Sequence, residues 1–225
     1  QVTIYAVTTT SNAGPDQNLC NVNSTTLAGN VPVNGSGNWT LISGPIAPTI
    51  TTPSSAVSTV TGMIEGVYIL RWTITNGACA SSTDDVQIII SLLPTVSNAG
   101  PDQNLCNVNN TTLAGNIPVN GTGNWSLISG PNSPTITSPA VRNTTVTGMI
   151  AGVYILRWTI SNGACAPATD DVQISIYATP TVSNAGPDQN LCNVNNTTLA
   201  GNAVVNGTGN WTLVSGPNVP SITTA

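Results

Sequence analysis

Tyr68-Ile69-Leu70-Arg71-Trp72-Thr73-Ile74 decides the fold. Tyr68, Leu70, Trp72 and Ile74 alternate with Ile69, Arg71 and Thr73, and this period of two predicts a strand with one buried face. Past the turn signal Asn76-Gly77, the residues Val86, Ile88 and Ile90 alternate with Gln87 and Ile89. Upstream lie Thr26-Leu27-Ala28, then Trp39-Thr40-Leu41-Ile42 behind the Asn34-Gly35-Ser36-Gly37 turn, then Thr59-Val60-Thr61. No stretch carries the helical period of 3.6 residues. Short strands separated by turns at this spacing predict an all-β sandwich.

The pattern repeats. SNAGPDQNLCNVN begins at Ser11, Ser97 and Ser183, a fixed interval of 86 residues, which marks a tandem array. A unit of that length can bury one modest core, so each repeat is expected to be one small domain. Gln1-Val2-Thr3-Ile4-Tyr5-Ala6 falls in register with Gln173-Ile174-Ser175-Ile176-Tyr177-Ala178. The expected organisation is therefore the last strand of a preceding repeat at 1–7, repeats at 8–93 and 94–179, and the first half of another at 180–225. That arrangement reads as a window from a longer head-to-tail polypeptide. Connections such as Ser91 to Val96 are short and carry Pro94, which predicts a semi-rigid rod rather than a floppy tether. Each bead would add roughly 35–40 Å.

Comparison between the repeats predicts the facing of side chains. Val86, Ile88 and Ile90 reappear as Val172, Ile174 and Ile176, whereas Ile89 becomes Ser175 and is expected to face solvent. Substitutions concentrate at 52–58, whose counterpart is 138–144, and this predicts a loop. Trp39, Trp72, Trp125, Trp158 and Trp211, with Tyr68 and Tyr154, are assigned to the core by their even-spaced apolar neighbours. Stacking on sugars is the competing use of such tryptophans. Tyr68, just after Gly66 at a strand start, suits a tyrosine corner.

Composition excludes several functions. Charged residues make up 5% of the chain, hydrophobic residues 40%, and the net charge is −5. There is no basic stripe for nucleic acid or for anionic membrane surfaces. No segment approaches the ~18 apolar residues of a membrane span. The chain has neither His nor Lys, so the Ser-His-Asp triad and the common general bases are missing. Lys–Asn isopeptide cross-links are excluded as well. Asp84 and Asp85 are neighbours on a strand and point to opposite faces, unlike the facing carboxylates of a glycosidase. No catalytic residue, cofactor or metal site is expected.

AGPDQ, TLAGN, NWTLISGP, YILRWTITNGAC and STDDVQI, in this order, resemble the Ig-like repeats of the polycystic-kidney-disease (PKD) type. They are most similar to the cysteine-containing variety in very long secreted proteins of Bacteroidota, including gliding-motility adhesins. The resemblance covers each complete unit. It implies a secreted, cell-surface protein exported by the type IX route and serving gliding or attachment. Neighbouring repeats would be the immediate partners, lateral bundling with further copies is compatible with the neutral surface, and a cell-surface or glycan target would lie at the tip. A glycan- or protein-binding module using the 52–58 loop, and a spacer in a secreted polysaccharide-degrading enzyme, are the alternatives.

Cys20 and Cys79 recur as Cys106 and Cys165, and Cys192 opens a third set. Two cysteines per unit, without His, suit disulfides in an oxidising compartment rather than a metal site. One pairing staples each unit, as Cys20–Cys79 and Cys106–Cys165. In an Ig-like sandwich, however, the first turn and the last hairpin lie at opposite ends, roughly 25–35 Å apart. A disulfide needs Cα atoms within about 7 Å. Stacking of beads would instead permit Cys20–Cys165, a bond between neighbours. The sequence leaves both pairings open. Asp16, Asp84 and Asp85, repeated as Asp102, Asp170 and Asp171, suit either turn capping or, as hard oxygen donors, a junctional calcium ion.

Overall fold

The computed structural model describes residues 2–223. Two complete repeats fold into similar seven-stranded sandwiches. In the first, β1 (Gln17–Cys20), β7 (Ser82–Ser91), β6 (Gly66–Thr75) and β3 (Ser36–Ser43) form one sheet in that order. β2 (Ser24–Ala28), β5 (Val57–Thr61) and β4 (Thr49–Ile50) form the other. In the second repeat, β8 (Gln103–Cys106), β14 (Ala168–Tyr177), β13 (Gly152–Ser161) and β10 (Thr122–Ser129) reproduce the larger sheet. β9 (Asn110–Thr112), β12 (Thr145–Thr147) and β11 (Thr135–Ile136) reproduce the smaller one.

The alternation in β6 is realised as expected. Tyr68, Leu70, Trp72 and Ile74 are completely buried, and Ile69, Arg71 and Thr73 are half-buried on the outer face. Trp39 and Trp72 are register partners across β3 and β6, with ring centroids 5.0 Å apart and planes tilted by 37°. Trp125 and Trp158 repeat the pair at 5.1 Å. Such tilted aromatic pairs add about 0.5–1.5 kcal/mol beyond their area burial. Both Trp39 and Trp72 also satisfy their ring nitrogens, donating to the carbonyls of Ala56 and Asn30. Tyr68 and Tyr154 form the corners: each hydroxyl accepts from a backbone N–H four residues upstream, Ile64 at 2.9 Å and Ile150 at 2.8 Å.

Three expectations are corrected. Trp211 is 37% exposed and no strand is described beyond Tyr177. Trp39 and Trp125 are covered by the strands bearing Trp72 and Trp158, and among the described residues no such strand pairs with the segment of Trp211. Ser175 lies on the outer face beside Val153 and Asn104 but is buried, because a small side chain there is overhung by Gln173, whose amide donates to its hydroxyl. The variable segment is not all loop. Val57 and Ser58 belong to β5, and Ser58 is buried with its hydroxyl accepting from Thr52 N–H. Its counterpart Thr144 keeps that bond, to Ser138, so the substitution retains the hydroxyl.

The feature that positions the junction is the parallel pairing of β1 with β7, with Gln17 opposite Ile88 and Cys20 opposite Ser91. The chain enters each repeat alongside its own last strand and runs in the same direction. Three polar side chains fix this entry. Ser11 hydroxyl donates to Trp72 carbonyl at 2.6 Å, Asp84 accepts from Ala13 N–H at 2.7 Å, and Asp16 accepts from Gln87 N–H at 2.8 Å. Ser97, Asp170 and Asp102 do the same in the second repeat.

Candidate functional site: the repeat junction

Cys20 closes β1 at the trailing end of the first repeat, and Asn21 turns the chain away with φ of 49°. Asn is among the few residues that accept this left-handed conformation readily. Asn21 N–H donates to Ser91 carbonyl at 2.8 Å, so Cys20 is clamped beside the last residue of β7. Cys79 lies in the β6–β7 hairpin, at the leading end. The ten residues of β7 between the two ends span roughly 33 Å, several times the reach of a disulfide. The within-repeat pairing is thereby overturned.

Cys20 is bonded instead to Cys165 in the β13–β14 hairpin of the second repeat, with Cα atoms 4.9 Å apart. The hairpin docks on the segment that leaves β7. Asn162 side-chain amide donates to Leu92 carbonyl at 2.9 Å, and Cys165 sulfur lies 3.2 Å from the same oxygen. Gly163, at φ of 52°, sits so close to Ser91 that a Cβ there would fall 1.9 Å from its hydroxyl oxygen. Cys165 and Ser91 are both buried as a result.

The peptide connection is correspondingly short. Thr95 is already anchored in the second repeat: its N–H donates to Asn120 carbonyl, and its hydroxyl accepts from the N–H groups of Val119 and Asn120. Only Leu92, Leu93 and Pro94 lie between that anchor and the end of β7. The free connection is thus shorter than the Ser91–Val96 segment read from sequence.

The leading end of the first repeat holds the same arrangement. Asn76 donates to Ala6 carbonyl at 2.7 Å, Cys79 sulfur lies 3.3 Å from that oxygen, and Gly77 would strike the Tyr5 ring if it carried a Cβ. Cys106 pairs in register with Tyr177 as Cys20 does with Ser91, and Asn107 repeats the left-handed turn at φ of 52°. Cys79, Cys106 and Cys192 are free thiols in this chain. The docking residues Asn76 and Gly77, with Asn162 and Gly163, were missed as functional from sequence. Their signal was the unchanged Asn-Gly-Ala-Cys run in both hairpins.

The aspartates cap and pair. Asp84 accepts from Ala13 N–H in the β1 entry and Asp16, within that entry, accepts from Gln87 N–H of β7, while Asp85 forms a two-bonded ion pair with Arg71 at 2.7 and 2.8 Å. Asp171 and Arg157 repeat it. The hydrogen bonds from Arg71 hold the Asp85 carboxyl below the usual carboxylate range, against a smaller opposing effect of partial burial, and Arg157 acts alike on Asp171. Among the described residues, no three Asp, Glu, Cys or His side chains come together in a metal-binding group. An open cleft beside the junction is lined by Asn21, Met63, Glu65, Ile90 and Leu92, but its counterpart carries Ala151 in place of Glu65. Among the described residues, no helix is long and apolar enough to cross a membrane.

Stacked Ig-like sandwiches joined by a tight, docked connection define a class of tandem β-sandwich modules. The chain belongs to the family described as K319L-like, PKD domain, which matches residues 13–90 and 99–176. No curated protein matches it. The solution structure of the PKD domain from KIAA 1837 protein is 28% identical, with TM-score 0.34, covering 41% of this chain and 93% of that one. The PKD domain (329–428) from human KIAA0319 is 17% identical, with TM-score 0.33, covering 42% and 88%. Murine CEACAM1b is 14% identical, with TM-score 0.52, covering 74% and 98%, a likeness of fold.

Proposed function

We propose that these repeats form the shaft of a large extracellular adhesin or surface filament, in which each bead is a semi-rigid spacer. The observation that carries this reading is the Cys20–Cys165 bond across the junction. A junction with a single peptide connection can bend and swivel. A second covalent connection, on another strand, restrains both motions. The bond suits an oxidising compartment, which supports a location outside the cytoplasm. PKD and Ig-like domains are characteristically non-catalytic modules, and the neutral surface built from Thr and Asn suits a passive spacer. Secretion by the type IX route and a role in gliding or attachment belong to the same proposal.

The free thiols extend it. Cys79 meets the preceding segment as Cys165 does, and Cys106 and Cys192 occupy the position of Cys20 in their repeats. Each is assigned as half of the same bond, made to a further repeat on its own side.

Deleting whole repeats in the native protein tests the shaft reading. Attachment that falls with shaft length while Arg142→Ala and Asn143→Ala leave it unchanged is the expected result. Saturable glycan binding by the chain, lost on those two substitutions, would overturn the reading in favour of a binding module.

A further inference from the structure

We propose that the Cys20–Cys165 bond diverts tension around the folded cores, so that the oxidised array is nearly inextensible. The inference rests on the shaft reading and gives it a mechanism. β1 runs parallel to β7, so the chain from Ser11 to Cys20 travels from the leading to the trailing end of the first repeat. The disulfide then crosses the junction to Cys165, in the hairpin at the leading end of the second repeat. From there β14 runs on to Tyr177 at the trailing end. This covalent route crosses two beads in one direction and uses extended strand for most of its length. An extended chain has little further to stretch, because a residue in a strand already rises about 3.3 Å of a possible 3.6 Å.

The remaining strands lie on a side loop. Cys20 and Cys165 are 145 residues apart in sequence. The loop between them holds six strands of the first repeat, β2 to β7, and six of the second, β8 to β13. Both tryptophan pairs are formed wholly within it. Tension applied to the ends reaches the short route first, and the loop cannot lengthen the molecule even if it unfolds. The next connection on this route lies in series with this one: Cys165 is followed by Cys192, 27 residues further on. Those residues comprise β14 and the next β1-like entry, so a bond from Cys192 would continue the route past two more junctions' worth of fold. Ordinary tandem Ig-like domains joined only by peptide lengthen by unfolding one bead at a time. Here the bond removes that mode.

Pulling on the full chain from tags at its two ends tests this. Without reductant, the expected trace has no step as large as a repeat. With reductant, two steps of roughly 260 Å each are expected, as the side loop holds roughly 520 Å of chain. The Cys20→Ser, Cys165→Ser double variant should give the reduced trace in the absence of reductant. Repeat-sized steps in oxidised protein whose Cys20–Cys165 bond is mapped as intact would overturn the diversion while leaving the spacer reading standing. Attachment that is indifferent to repeat number would remove the spacer reading and leave these traces unaffected.

Discussion

Cys20 faces Ser91 across the parallel β1–β7 ladder. That pairing puts a cysteine from the start of a repeat beside the point where the chain leaves it, and the next repeat's hairpin lands on both. The junction bond therefore follows from the direction of one four-residue strand. Had β1 paired antiparallel, or at another register, Cys20 would lie away from the trailing end and no neighbour could reach it.

The bond should stabilise both repeats as well as their arrangement. With the second repeat folded, unfolding the first leaves a loop pinned at Cys20 and at Leu92. Restricting such a loop is worth about 2–4 kcal/mol in the chain-entropy account. Urea denaturation followed by tryptophan fluorescence should show a lower midpoint for the Cys20→Ser, Cys165→Ser variant, with native fluorescence retained in water.

Gly37 is held by space. A Cβ on it would fall 2.0 Å from the Trp72 ring, and the ring is fixed by Trp39 and by its bond to Asn30. Gly37→Ala should destabilise the first repeat by about 1–3 kcal/mol through overpacking. Thermal melting of the substituted chain checks this, with Gly123→Ala expected to act alike in the second repeat.

The tyrosine corner is testable by one oxygen. Tyr68→Phe leaves the Ile64 N–H without its partner in a half-buried corner, at a cost of about 1–3 kcal/mol. Tyr154 hydroxyl also donates to the Asn132 side chain, so Tyr154→Phe should cost at least as much. Amide exchange at Ile64 and Ile150 should accelerate in the respective variants.

Acid should weaken both repeats together. Asp85 and Asp171 have folded pKa values below the ordinary 3.8. Their pairing is complete above that value and is lost as pH falls through the lowered pKa. Both pairs are exposed to solvent, so the effect should be small and screened by salt. Melting temperatures between pH 7 and pH 2 should drop less for Asp85→Asn, Asp171→Asn than for the unsubstituted chain.

Much of the fold was legible because period-two alternation survives where one face is buried. Tyr68 to Ile74 and Val86 to Ile90 declare their inner faces without reference to anything distant. Ser175 was misread because its outer-face position says nothing about the long glutamine lying over it. Trp211 is exposed because burial is a property of its partners, and among the described residues no strand pairs with its segment as β6 pairs with β3. The junction was half legible. The distance argument separating Cys20 from Cys79 needed only strand lengths, but choosing Cys165 needed the docking of Asn162 and Gly163 on Leu92 and Ser91. Those contacts are made between repeats, and no periodicity within a repeat encodes them.

The bond between beads is the central claim, and peptide mapping of non-reduced protein, digested under conditions that block thiol exchange, tests it directly. A linked peptide containing Cys20 and Cys165 is expected, with Cys79 not linked to Cys20 and Cys106 not linked to Cys165. Recovery of Cys20 bonded to Cys79, or of Cys106 bonded to Cys165, would contradict it.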